Sequence, residues 1–141
     1  MKKVSAGHAA LRELHRIDSK RAEELQLDFE IGLYEAHLHF RPESTEALFG
    51  LGNAYTKRGL YGKGLEIDLR LVRLEPDNPT FNYNLACSYS LLKEVDHSIE
   101  TLKRAIDLGF DDRKQMQNDP DLENVRQDPR FEKLLSSRRA R

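Results

Sequence analysis

The chain has 141 residues, the length of one ordinary domain, and 33% of them are charged. Its 23 Lys and Arg nearly balance its 24 Asp and Glu, which argues against a basic nucleic-acid-binding footprint. A single cysteine, Cys87, excludes an intramolecular disulfide framework and a Cys-rich zinc site. No apolar run is long enough to span a membrane, and the first residues lack the apolar core of a signal peptide, so we expect a cytoplasmic protein.

A 34-residue period runs through the middle of the chain. Pro42 and Pro76 are 34 residues apart. The same offset relates apolar and small positions, among them Leu51 and Leu85, Gly52 and Ala86, Tyr55 and Tyr89, and Val72 and Ile106. The period divides one predicted domain, 1–141, into a degenerate unit and two clear units, at 11–44, 45–78 and 79–112.

Upstream of the clear units the apolar spacing predicts two helices. The first covers 5–17, with Leu11, Leu14 and Ile17 on one face. The second covers 20–41 and carries two apolar stripes, a width that favours burial against more than one neighbour. These stripes are Ala22, Leu25, Phe29, Leu33, Ala36 and Phe40, and then Ile31, Tyr34 and Leu38.

Each clear unit is expected to form two helices, and no stretch alternates as a strand would. In the first unit Ser44 or Thr45 can cap a helix over 45–57, and Gly59 supplies the turn to a second helix that ends before Pro76. A small residue at position 52 or 86 allows the paired helices to approach closely. We also expect exposed ion pairs between residues four apart, at Glu66–Arg70 and Glu100–Arg104.

The C-terminal region has a different pattern. Asp119-Pro120 and Asp128-Pro129 each place a capping Asp before a Pro, which is a signal for a helix start. We expect short helices near 111–117, 120–126 and 129–136, so that 113–136 covers the open end of the helical stack. A small basic segment at 137–141 is interpreted as a solvated end.

The two clear units resemble tetratricopeptide repeats (TPR). The resemblance rests on Leu51-Gly52-x-x-Tyr55, Gly59, Tyr61 and Pro76, and on Asn84-Leu85-Ala86-x-x-Tyr89 and Ala105. The sequence departs from the repeat pattern at Asp68, Leu71 and Phe110. The segment from Asn118 onward is similar to the tail that closes such arrays in bacterial proteins, which favours a bacterial source. The family resemblance implies an all-α, right-handed α-solenoid whose concave face binds a peptide or helix of another protein.

In this family the first helix of each unit lines the groove. The resemblance therefore implies a partner-binding groove formed by Glu46, Phe49, Asn53, Lys57, Thr80, Tyr83, Asn84, Cys87, Leu91 and Lys114, which Gln117 could extend. Phe49 and Tyr83 could anchor an apolar segment, or they could pack against a neighbouring helix. Asn53 and Asn84 resemble part of a carboxylate clamp, but its first lysine is replaced by Phe49, and a general peptide groove is the favoured interpretation.

The sequence gives little support for catalysis. The five histidines have no metal-site spacing, and no Gly-rich phosphate loop is present. Cys87 is interpreted as a small groove residue and not as a nucleophile. We therefore expect an adaptor with no metal, cofactor or enzymatic activity. The alternative is a homo-oligomeric scaffold that associates through its N-terminal helix or its groove.

Overall fold

The computed structural model describes residues 2–137, with side chains from residue 6 onward. Helices follow one another along this part of the chain, and it contains no strand. They are α1 (Lys2–Phe40), α2 (Thr45–Arg58), α3 (Tyr61–Leu74), α4 (Pro79–Leu91), α5 (Val95–Asp107), α6 (Arg113–Asn118), a 3-10 helix (Pro120–Leu122), α7 (Glu123–Arg126) and α8 (Pro129–Ser137). The predicted all-α class is confirmed. The predicted basic segment lies outside the described residues, except for Ser137.

Helices α1 to α5 pack in chain order, each antiparallel to the next. The side chain of Ser44 accepts a hydrogen bond from the Ala47 N–H at the start of α2, as the sequence predicts. Gly59 ends α2 in the left-handed conformation at φ 84°, and Lys93 adopts φ 62° after α4. These turn residues are 34 positions apart. The pairs α2–α3 and α4–α5 occupy the two clear units, whose assignment as repeats of one domain stays a prediction.

The prediction of two N-terminal helices is wrong, because α1 is one continuous helix of 39 residues. Position 25 is the equivalent of Gly59 and Lys93 under the 34-residue offset, and Leu25 stands there. A leucine with its Cβ disfavours the left-handed conformation that ends the other first helices. Residues 8–31 contain no Gly or Pro, so the helix continues from the degenerate unit's first half into its second.

Two apolar stripes lie on opposite sides of α1, roughly 180° apart at about 100° per residue. The inner stripe, Leu27, Ile31, Tyr34 and Leu38, packs against α2. The outer stripe comprises the exposed Ala22 and Ala36 and six large side chains that are each more than half exposed, namely Leu11, Leu14, Leu25, Phe29, Leu33 and Phe40. Only the inner stripe is buried, so the expectation that both stripes of α1 are buried against neighbours is wrong within the described residues.

The buried side chains form two clusters, one for each hairpin. The first joins the inner stripe of α1 to α2, α3 and Phe81 of α4. Gly52 allows the close approach expected there, because a Cβ at this position would lie 3.2 Å from a methyl carbon of Ile67. The second cluster joins α4 and α5 to Leu122, Val125 and Phe131 of the C-terminal segment, all fully buried. The predicted capping role of the short helices is confirmed.

An arginine of each second helix reaches back to the loop that precedes the first helix of its unit. Arg70 of α3 donates to the carbonyl oxygen of Pro42 at 2.8 Å, and Arg104 of α5 donates to that of Pro76 at 3.3 Å. The two arginines are 34 positions apart, and so are the two prolines. The predicted ion pairs of these arginines with the glutamates four residues earlier do not form among the described residues. The arginines instead connect the second helix of each hairpin to the loop before its first helix.

Candidate functional site

One side of α2 is left open by its neighbours α1 and α3. Glu46, Asn53 and Lys57 are exposed along this side, as the sequence predicts. Phe49 lies among them half-buried, and its ring centroid is 5.9 Å from that of Phe81 in α4. This open side combines one aromatic surface with an acidic, an amide and a basic side chain.

The equivalent side of α4 is partly covered by the chain itself. Thr80 is exposed, and Asn84 and Leu91 are half-buried. Tyr83 is only 1% exposed and Cys87 is also buried. The prediction that Tyr83 and Cys87 face an open groove is therefore wrong, because the 3-10 helix and the residue before it pack on this side of α4.

Asp119 is the residue that closes this contact. Its Oδ2 accepts a hydrogen bond from the Tyr83 hydroxyl at 2.8 Å and lies 4.0 Å from the Cys87 Sγ. Its Oδ1 accepts the Asp121 N–H and caps the 3-10 helix, as the Asp-Pro pattern predicts. The ring of Tyr83 stacks on Phe110 with centroids 4.0 Å apart. Asp119 thus both starts a short helix and fixes that helix on α4.

Burial and the neighbouring carboxylates suppress ionisation here. Burial, with the charge of Asp119 adding to it, raises the pKa of the Cys87 thiol well above its usual range. Burial also raises the pKa of the Tyr83 hydroxyl, and burial followed by the charge of Asp119 raises the pKa of Asp121. The thiol is therefore protonated near neutral pH, and this cluster holds two segments together instead of presenting a reactive thiolate.

The remaining predicted groove positions lie on α6. Lys114 and Gln117 are exposed on this short helix, and Asp112 caps its start by accepting the Gln115 N–H at 3.0 Å. Within the described residues, no three His, Cys, Asp or Glu side chains come together as a metal site would need. No helix in the described part is both long and apolar enough to cross a membrane.

Sequence reasoning missed a depression of about 310 Å³ between α1 and the start of α2. It is lined by Leu33, Tyr34, His37, Ser44, Glu46 and Ala47. The Tyr34 ring lies directly against Gly50, where any Cβ would collide with it. The 34-residue period gave no signal for this contact, because the residues equivalent to Tyr34 in the next two units are Asp68 and Leu102.

A buried carboxyl group joins the two hairpins. Asp68 of α3 is 6% exposed, and its Oδ2 accepts a hydrogen bond from the Ser88 hydroxyl of α4 at 2.5 Å. Burial raises the pKa of Asp68 to about 6, although the Ser88 bond acts in the opposite direction. Asp68 is one of the positions at which the sequence departs from the repeat pattern, and the structure shows that this departure is buried between units.

A plant protein is similar to more than half of this chain. This relative, a chloroplastic protein from Arabidopsis thaliana, is 33% identical over 87 residues, which is 60% of this chain and 26% of the plant protein. The chain thus corresponds to about a quarter of its relative. No family model matches the chain. The consecutive antiparallel packing of the hairpins is consistent with the TPR-like arrangement that the sequence predicts.

Proposed function

We propose that this chain is a TPR-like protein-interaction module, which binds a segment of another protein and has no catalytic activity of its own. The repeat-like sequence, the consecutive hairpins and the similarity to the chloroplastic relative support an interaction role. The observation on which the proposal rests is the open side of α2. There, Glu46, Asn53 and Lys57 have no hydrogen bond or ion pair within the described part of the chain.

The proposed contact surface is smaller than the one that the sequence predicts. It consists of the open side of α2 with Phe49 at its centre, the accessible positions Thr80, Asn84 and Leu91 of α4, and Lys114 of α6. Phe49 would supply an apolar contact, and the side chains around it would supply polar contacts at the rim. Tyr83 and Cys87 are no longer included, because Asp119 and the 3-10 helix already cover them.

The test is affinity capture from a lysate of the source organism with a variant of the α2 surface. Asn53→Arg/Lys57→Glu changes two exposed side chains that pack on no other helix, so the fold should be retained. We expect the wild type to retain a foreign protein that this variant loses. Far-ultraviolet circular dichroism checks that the helical content is unchanged.

The matched control is Lys103→Glu/Gln127→Arg, which makes similar charge changes at exposed positions on α5 and after α7. This control should retain the same protein as the wild type. Recovery of identical proteins by all three chains would show that the open side of α2 is not the binding surface. A second candidate function, self-association, is favoured by the exposed outer stripe of α1.

A further inference from the structure

The N-terminal half of α1 has no partner within the described part of the chain. The first bond from α1 to the rest of the fold is made at Glu24 and Asp28, which pair with Arg58 of α2. Side chains 6–23 are all exposed. At about 1.5 Å per residue, this half projects roughly 25 Å beyond that contact. The outer stripe extends from Leu11 to Phe40, with Asp18 lying between Leu14 and Ala22, so it includes residues of both the projecting half and the half that packs on α2.

The outer stripe follows an 11-residue period. Leu11, Ala22 and Leu33 are 11 residues apart, and so are Leu14, Leu25 and Ala36. Such a period corresponds to about 3.67 residues per turn, so the stripe stays on one side of the helix over its length. A straight apolar stripe of this kind fits another long helix along its whole length.

The charge of α1 changes sign along its axis. Residues 2–21 contain six Lys and Arg against two Asp and Glu, a net charge of +4. Residues 22–40 contain five Asp and Glu and no Lys or Arg, a net charge of −5. Arg58 offsets one of these negative charges. The two halves are therefore complementary, but the unbroken helix prevents one half from folding back on the other half of the same chain.

We propose that two copies of this chain pair through the outer stripes of their α1 helices, in antiparallel orientation. Antiparallel pairing places the basic half of each helix against the acidic half of the other, whereas parallel pairing would place like charges together. With Leu25 at the centre, Ala22 lies near the partner's Phe29, and Leu14 lies near the partner's Ala36. Small side chains thus meet large ones along the interface. The rest of each molecule packs on the inner stripe and does not obstruct the contact.

The large side chains of the outer stripe alone supply more than half of the surface that a stable interface needs. Each large side chain of the outer stripe has roughly 60–120 Å² of apolar surface to bury. Six such side chains therefore contribute on the order of 500 Å² per copy, to which the stems of the flanking charged residues add. A stable interface buries about 800 Å² per partner. This pairing uses a different face from the proposed α2 surface and does not depend on it.

Sedimentation equilibrium of the purified full chain, with no other protein present, tests the pairing. We expect a reversible dimer of twice 16.3 kDa. Leu25→Lys/Phe29→Lys should raise the dissociation constant roughly 100-fold or more, since it removes two central apolar side chains from each copy. The matched control Leu60→Lys/Leu74→Lys changes two exposed leucines outside α1 and should dimerise as the wild type does. Thermal unfolding of each variant checks that the hairpins are intact.

The orientation is tested by disulfide crosslinking of Leu11→Cys and Phe40→Cys chains. Antiparallel pairing predicts that a mixture of the two chains crosslinks between different variants, and that Leu11→Cys alone does not crosslink. A wild type that is monomeric at all concentrations would overturn the proposal. So would a dimer that persists in Leu25→Lys/Phe29→Lys, or efficient crosslinking of Leu11→Cys with itself. None of these outcomes depends on whether the open side of α2 binds a foreign protein.

Discussion

At the scale of single residues, Asp68 makes the stability of the fold depend on pH. Its carboxyl group is buried between α3 and α4 with Ser88 as its hydrogen-bond donor, and the described residues place no cation beside it. Burial raises its pKa from 3.8 to about 6, so the folded chain binds this proton more tightly than the unfolded chain does. Ionisation of Asp68 therefore costs folding free energy as the pH rises.

We predict that Asp68→Asn removes this dependence. Below about pH 4 the carboxyl is protonated in both states, and the wild type and the variant should have similar stabilities. Between about pH 4 and pH 6 the wild type should lose up to about 3 kcal/mol relative to the variant, because the unfolded state ionises first. Above about pH 6 the difference should stay constant.

Urea unfolding followed by circular dichroism at several pH values measures this difference. The amide oxygen that the substitution introduces can still accept the bond from Ser88, so the comparison isolates the charge. Asp111→Asn, at an exposed position after α5, serves as the control. Its difference in stability from the wild type should not change between about pH 4 and pH 6. A constant difference between wild type and Asp68→Asn across the whole range would contradict the prediction.

At the scale of elements, the C-terminal segment is fixed on α4 by a small number of polar contacts around Asp119. We predict that Asp119→Ala destabilises the chain by about 1–3 kcal/mol, because it removes a helix cap and leaves the buried Tyr83 hydroxyl without its acceptor. The segment should also open more often. Cys87 lies under it and is the chain's single cysteine, so its rate of reaction with a thiol reagent should increase.

Asp128→Ala is the comparison for this prediction, because it removes the other Asp-Pro cap, whose side chain accepts hydrogen bonds from Arg130 and not from Tyr83 or Cys87. Its effect on thiol reactivity under native conditions should be much smaller than that of Asp119→Ala. Equal rates in the two variants would mean that Cys87 is exposed by global unfolding and not by local opening of the segment.

The sequence was informative about elements whose signals are local. Ser44 and Gly59 delimit α2 through their own side-chain and backbone preferences, and the Asp-Pro steps mark the C-terminal helices in the same way. The continuity of α1 could also have been predicted, since Leu25 stands where the other units have a left-handed turn residue. The apolar spacing of the degenerate unit instead led to a prediction of two helices.

The candidate site was less predictable, because a helix face says nothing about what covers it. The resemblance to the repeat family implied that Glu46, Asn53 and Lys57 line a groove, and all three are exposed on α2. The burial of Tyr83 depends on Asp119, 36 positions later, and no local pattern connects these two residues. A tertiary contact of this kind is visible only once the path of the C-terminal segment is known.

At the scale of the whole molecule, the folded body begins near Glu24. We predict that deleting residues 2–18 leaves the free energy of unfolding of the hairpins within about 0.5 kcal/mol of the wild-type value at concentrations too low for association. Among the deleted residues, side chains 6–18 are exposed and make no described bond to the body. Circular dichroism should show the loss of these turns, and urea unfolding should report the unchanged stability.

A deletion of similar length at the other end gives the contrasting result. Removing residues 121–141 takes Leu122, Val125 and Phe131 from the second buried cluster, so this chain should unfold at much lower urea concentration. If the N-terminal deletion were equally destabilising, the separation between a projecting helix and a folded body would be incorrect.

The arginine contacts of the two hairpins have a consequence for how such a chain can change in length. Arg70 brings the end of its unit back to Pro42 at the beginning, and Arg104 does the same at Pro76. Each unit therefore enters and leaves at nearly the same place. A gene duplication or loss of 34 codons would add or remove one hairpin while its neighbours kept their mutual fit. Each added hairpin would then contain its own arginine and its own hydrogen bond to the carbonyl oxygen of the preceding loop.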